Sequence, residues 1–174
     1  VLLLFSCLVI MYCFLTYQRS KIWKDSITLT SDAIEKSAID PLMFMGRSQA
    51  YYLAGMYEKT IDDCNRFFNL NHLYPDVLVD PSMYYNRALA YHKLNRFDEA
   101  IRDFSTIVKL DSNHVDAYYM RANAYYKTGN NQLAVADYTK VIELKGDVAD
   151  YYNDRGLSYF DLQQYDKAVQ DYNK

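Results

Sequence analysis

From Val1 to Tyr17 the chain reads V-L-L-L-F-S-C-L-V-I-M-Y-C-F-L-T-Y, without a single charge, and beyond it the apolar positions become spaced by threes and fours. Seventeen residues at a helical rise of 1.5 Å reach roughly 25 Å, just short of a hydrocarbon core of about 30 Å. The run therefore predicts a transmembrane helix over 1–17, truncated at its front. A cleaved signal, which would need a basic leader and a small-residue cleavage site, and a buried core helix are the alternatives. The run gives way to Gln-Arg-Ser-Lys at 18–21.

Three segments, Y-Y-N-R-A-L-A-Y at 84–91, Y-Y-M-R-A-N-A-Y at 118–125 and Y-Y-N-D-R-G-L-S-Y at 151–159, recur at a step of 34 residues. Self-similarity at such a period signals a stacked array. Repeats span 41–74, 81–114, 115–148 and 149–174, the last incomplete, with an insert at 75–80. Counting slots from each repeat start, slot 4 holds Phe44, Tyr84, Tyr118 and Tyr152, and slot 8 is small: Ser48, Ala88, Ala122 and Gly156. Slot 11 is always Tyr, at 51, 91, 125 and 159. Slot 20 is Thr60, Ala100, Ala134 and Ala168; slot 24 is Cys64, Phe104, Tyr138 and Tyr172. This spacing predicts two amphipathic helices per repeat. Slot 15 carries Gly55, Asn95, Gly129 and Gln163 and supplies the turn between them, three of the four tolerating a left-handed backbone.

These features resemble the tetratricopeptide repeat, over Pro41 to Lys174. The resemblance implies an all-α helix-turn-helix solenoid whose inner face, formed by slots 2, 5, 9 and 12 of the first helices, binds a protein or peptide. In this chain that stripe reads Leu42, Met45, Gln49 and Tyr52; then Ser82, Tyr85, Leu89 and His92; then Asp116, Tyr119, Asn123 and Tyr126; then Asp150, Asn153, Leu157 and Phe160. Tyr85, Leu89, His92, Tyr119, Asn123, Tyr126, Asn153, Leu157 and Phe160 are the candidate groove residues. Packing of the tyrosines against neighbouring repeats is the competing role. The slots of the family's carboxylate clamp hold Met45, Gln49, Asn86, Asp116 and Met120, of which only Asn86 matches, so a neutral or basic ligand is expected.

Two departures from the family pattern recur. Slot 7 is Arg47, Arg87, Arg121 and Arg155; slot 23 is Asp63, Asp103, Asp137 and Asp171. The pairing predicts an Arg–Asp ladder between the two helices of each repeat, exposed and hence weak. Pairing inside the second helix, as Asp63 with Arg66 or Asp137 with Lys140, is the alternative.

Composition narrows the function. A net charge of −3 offers no cationic field for phosphate backbones, so nucleic acid is not an expected partner. Five Gly and three Pro leave few helix breakers, and 19 Tyr among 28 aromatics are largely accounted for by repetition. Cys7, Cys13 and Cys64 form no C-x-x-C, and Cys64 in an aromatic slot reads as a buried small hydrophobe. His72, His92 and His114 have no metal-ligand spacing, and no phosphate loop or nucleophile motif is present, so no catalytic residue, metal or cofactor is expected.

Residues 18–40 form a junction with one helix near 22–37, able to cap the front of the array through Trp23, Ile27, Ser31 and Ile34. Its pattern Arg19-x-x-x-Trp23-Lys24-Asp25-x-x-Thr28-Leu29, after a membrane helix and before repeats, is similar to the tail of polytopic membrane glycosyltransferases. That resemblance implies a catalytic membrane domain ahead of Val1 and extracytoplasmic repeats. Arg19, Lys21 and Lys24 on the exit side imply cytoplasmic repeats instead. The side stays open, with the extracytoplasmic one favoured. The expected function is a membrane-tethered scaffold for protein or peptide binding, the alternative a regulatory or acceptor-binding tail of such an enzyme.

Overall fold

The computed structural model describes residues 26–36, 41–71, 80–146 and 148–174. The uncharged run at 1–17, the first part of the junction and most of the insert lie outside the described residues. Among the described residues no helix is long and apolar enough to cross a membrane.

Every described element is a helix: α1 (Ser26–Lys36), α2 (Pro41–Leu53), α3 (Tyr57–Asn71), α4 (Pro81–Lys93), α5 (Phe97–Leu110), α6 (Val115–Lys127), α7 (Asn131–Lys145), α8 (Ala149–Asp161) and α9 (Tyr165–Tyr172). First helices begin at Pro41, Pro81, Val115 and Ala149, where the repeat count starts. Pro at the head of α2 and α4 costs no hydrogen bond, since that N–H has no helical acceptor. Asp80, inside the predicted insert, caps α4 by accepting from the Ser82 N–H at 2.8 Å.

One turn is built four times. Gly55, Asn95, Gly129 and Gln163 have φ of 74°, 58°, 76° and 61°. The N–H of the next residue donates back to the slot 11 carbonyl: Met56 to Tyr51, Arg96 to Tyr91, Asn130 to Tyr125 and Gln164 to Tyr159, at 2.8–2.9 Å. That is the closing bond of a helix ended by a left-handed residue. Gln163 adopts this conformation although its Cβ disfavours it.

The chain divides into two compact units, Val1–Val77 and Leu78–Lys174. In the first, α1 packs on α2 and α2 on α3; Phe44, Ile61, Cys64 and Phe67 are buried between them, Cys64 without any exposure. In the second, the hairpins α4–α5, α6–α7 and α8–α9 stack in order. Its core is a layered succession of slot 8 and slot 20 alanines with slot 24 aromatics: Ala88, Ala100 and Phe104, then Ala122, Ala134 and Tyr138. Small residues bring the helices close, and the aromatics fill the space beside them. At the last hairpin Gly156 takes this further, because a Cβ there would stand 2.7 Å from the Tyr172 ring.

The Arg–Asp ladder is present in all four repeats, and the alternative pairing within the second helix is not. Each arginine meets its aspartate with two parallel bonds: Arg47 with Asp63, Arg87 with Asp103, Arg121 with Asp137 and Arg155 with Asp171, all at 2.7–2.8 Å. Lys140 pairs with Glu143 instead of Asp137. The expectation of an exposed, weak ladder is corrected: the aspartates are only 3–7% exposed. They are buried because slot 23 faces the first helix, with the slot 4 and slot 11 rings on either side of the guanidinium. Arg121 lies 5.4 Å from the Tyr118 ring centre and 5.8 Å from that of Tyr125, and the other three repeats copy this. The tyrosine excess thus has a second cause, in cation–π flanks of a buried charge.

Candidate functional site

Among the described residues a third arm is seen from Arg47, Arg121 and Arg155. Arg47 Nη1 donates to Ser31 Oγ (3.2 Å), Arg121 Nη1 to Ser105 Oγ (3.1 Å) and Arg155 Nη1 to Thr139 Oγ1 (3.1 Å). Each guanidinium therefore fastens its own helix pair and the helix before it. Ser105 and Thr139 lie on second helices, so Ser31 places α1 where a preceding repeat's second helix would stand. That is how the junction helix caps the first unit. Repetition of Arg and Asp pointed to the two main bonds, and Ser31 stood among the expected capping residues, whereas the slot 25 hydroxyls of Ser105 and Thr139 were not singled out by the sequence.

This frame holds the first-helix face of the second unit, formed by α4, α6 and α8. Tyr119 of α6 is half-buried, its ring 6.0 Å from Tyr138 and 5.2 Å from Tyr151 of the next repeat. Its hydroxyl donates to Asp154 Oδ2 at 2.7 Å. Burial, and then the Asp154 carboxylate, push the Tyr119 phenol up to about 12. Asn123 accepts from the Tyr138 hydroxyl at 2.7 Å and also hydrogen-bonds the Tyr119 hydroxyl, tying the two tyrosines together. Tyr126, one turn further on and also half-buried, is raised above the usual phenol range by burial and then by Asp161. Two α6 tyrosines thus lean on two α8 aspartates seven residues apart.

On α4, the Tyr85 ring lies 6.0 Å from Phe104 and 5.5 Å from His114, and Leu89 is half-buried. His92 stands with its ring edge-on to Phe97 at 5.2 Å, and its Nε2 finds no hydrogen-bond partner among the described residues. Burial, with Lys93 and Lys127 nearby, lowers its pKa, so the imidazole is neutral at pH 7. On α8, Asn153, Leu157 and Phe160 are exposed, Phe160 to 54% and edge-on to Tyr165. The nine candidates therefore divide. Tyr85, His92, Tyr119 and Tyr126 form the seams between repeats, with Leu89 and Asn123 beside them, while Asn153, Leu157 and Phe160 lie open at the last hairpin.

Asp116, Asp150 and Asp161 on these helices are exposed, as are Lys93 and Lys127, which share slot 13 with Asp161. Sequence reasoning missed Asp154, whose slot 6 borders the stripe without belonging to it. In the first unit the same stripe presents Leu42, 52% exposed, Gln49 and the Tyr52 ring against Tyr57. Chemically the second unit's face offers aromatic edges and exposed carboxylates. It suits donors: a peptide's N–H groups or its cationic side chains.

A tetratricopeptide repeat profile matches residues 85–147 and 119–174. The chain belongs to the tetratricopeptide repeat family. No curated protein matches it. Among solved structures, a MamA crystal structure superposes with a TM-score of 0.76 at 20% identity, covering 84% of this chain and 82% of that one. MamA from Desulfovibrio magneticus RS-1 gives 0.75 at 14%, over 94% and 90%. YrrB, described as a tetratricopeptide repeat protein with an unusual peptide-binding site, gives 0.75 at 16%, over 90% and 77%. At these identities the likeness is one of fold.

Proposed function

We propose that this protein is a membrane-tethered scaffold that captures a protein or peptide on the first-helix face of α4, α6 and α8. The observation that supports this reading is the seam of Tyr119 and Tyr126 against Asp154 and Asp161, rimmed by exposed Asp116 and Asp150. Tyrosine supplies contact area at low entropic cost, and the carboxylates select for lysine or arginine in the ligand. YrrB, alike in fold, carries a peptide-binding site. The tether is the uncharged run Val1–Tyr17. The test is an array of random extended peptides probed with the labelled chain. Basic peptides should dominate the binders, and Asp116→Lys with Asp150→Lys should weaken them at least about tenfold. Binding indifferent to those two changes refutes the site.

The second reading, a regulatory or acceptor-binding tail of an integral membrane glycosyltransferase, is supported by the Arg19 to Leu29 pattern after that uncharged run. Upstream coding sequence with about ten further apolar spans would support it; an initiator Met followed by a few basic residues would sink it. In that reading the repeats face the extracytoplasmic side, and protease added outside intact cells should remove them. Full protection would place them in the cytoplasm.

A further inference from the structure

The turn between the two helices of a repeat is built alike four times, and its slots 13 and 16 are exposed in every copy. Their chemistry is alike in only three. Slots 13 and 16 hold Lys93 and Arg96, Lys127 and Asn130, and Asp161 and Gln164, whereas the first turn carries Leu53, 78% exposed, and Met56, 43% exposed. Slot 14 differs too: Leu94, Thr128 and Leu162 are half-buried, and Ala54 is exposed. Leu53, Ala54, Gly55 and Met56 therefore form an unbroken apolar tip, with the Tyr52 and Tyr57 rings behind it, their centres 5.7 Å apart. Exposed Glu58 and Lys59 mark where polar surface resumes. The exposure belongs to the turn itself, because the polar turns deeper in the array have it as well.

We infer that this tip inserts into the surface of a lipid bilayer and seats the first unit against it. The inference rests on the membrane tether proposed above and names the part of the first unit that the tether brings to the lipid. Topology carries it. Four residues join α1 to α2 and the two helices pack side by side, so they run antiparallel. Their register is set by the bond from Arg47 Nη1 to Ser31 Oγ and by the approach of Thr30 Cγ2 to Gly46, where an added Cβ would stand 3.8 Å away. Ser26, five residues before Ser31, and Leu53, six after Arg47, therefore lie within about one helical turn of the same level. The chain thus enters α1 at the end of the unit where the tip stands. Residues 18–25 separate Ser26 from the uncharged run, so that end is at most about 30 Å from Tyr17. Leucine and methionine partition into hydrocarbon, and the tyrosine pair behind them suits the headgroup level. A tip of this kind offers a partner protein no groove, but it is the shape that enters between headgroups.

The probe is a phosphatidylcholine vesicle brominated near the head of its acyl chains, into which the full chain is reconstituted. In a Trp23→Phe background, which removes the single native tryptophan, Leu53→Trp places a reporter in the tip and Lys93→Trp places one at the same slot of the second turn. Bromine should quench the Leu53→Trp reporter by at least about twofold, with blue-shifted emission, and the Lys93→Trp reporter hardly at all. Adding Met56→Lys should bring the first reporter to the level of the second, with helical circular dichroism unchanged because both tip positions are exposed. Flotation in a density gradient reads the tether separately. A chain that floats while both reporters quench alike, or while neither does, overturns the tip and leaves the tether standing. A chain that does not float overturns both. Emission from Leu53→Trp that is blue-shifted but indifferent to bromine would assign the tip to a protein partner and likewise overturn the proposal.

Discussion

Arg121→Ala is the sharpest test of what holds the second unit together. The substitution leaves Asp137, 6% exposed, with its charge and without its two 2.7–2.8 Å donors. Breaking a buried pair in this way costs about 3–5 kcal/mol, most of it the penalty of the stranded charge. The bond to Ser105 and the stacking on Tyr118 and Tyr125 add about 1 kcal/mol each at most. Against a domain stability of about 5–15 kcal/mol this is a large share. At about 4–8 °C per kcal/mol the melting temperature of the unit should fall by at least about 12 °C. Asp137→Ala should cost about the same, and the double variant Arg121→Met with Asp137→Leu should recover most of the loss, because no charge is then stranded. The assay is urea denaturation followed by circular dichroism, at about 0.1 M and 1 M salt, where a buried pair should respond little. Arg96→Ala is the control: its pair with Glu99 has side chains 41% and 29% exposed, so about 1 kcal/mol or less is expected. An Arg121→Ala chain within about 1 kcal/mol of the parent would refute burial as the source of the ladder's strength.

Ser105→Ala should cost about 1 kcal/mol by removing the third arm, and cost nothing further in an Arg121→Ala background; additive losses would show that the hydroxyl acts elsewhere. Gln163→Gly should raise stability by about 0.5–1 kcal/mol, the relief of a left-handed Cβ outweighing the added freedom of the unfolded chain, whereas a lower melting temperature would contradict strain at that turn. Tyr119 gives a pH signature. Its folded pKa of about 12 lies above the ordinary 10, so between those values the unfolded chain has released a proton that the folded one retains. The stability this contributes is complete below about pH 10 and is lost as the pH rises toward 12. Tyr119→Phe should flatten that decline, and an unchanged slope between about pH 9 and 11.5 would remove Tyr119 from the account.

The first helices begin at slot 1 of each repeat, and were legible because slots 4, 8 and 11 repeat one chemistry at one period. The ladder was legible for the same reason, though its burial was not: charge reads as exposure until the flanking rings are placed around it. The face of the first helices was harder. Tyr119 and Asp154 lie 35 residues apart, and periodicity marks Tyr119 as belonging to the inner stripe without saying whether its neighbour is a ligand or the next repeat. In the structure Tyr119 packs on the next repeat and Asn153 is exposed, yet their slots look alike in the sequence. The left-handed Gln163 was half legible, through its slot and against its side chain.

The partners of each three-armed guanidinium fall sixteen residues before it and sixteen after: Ser105 and Asp137 about Arg121, Thr139 and Asp171 about Arg155, Ser31 and Asp63 about Arg47. Within those windows loop length is not free, since a single added residue between Ser105 and Arg121 would shift the hydroxyl against the donor. The six extra residues at 75–80 fall outside all three windows, where the chain also parts into its two compact units. For anyone grafting a tag or sensor into this array, the sequence thus carries its own map of permissive and forbidden joints, written in the spacing of one amino acid.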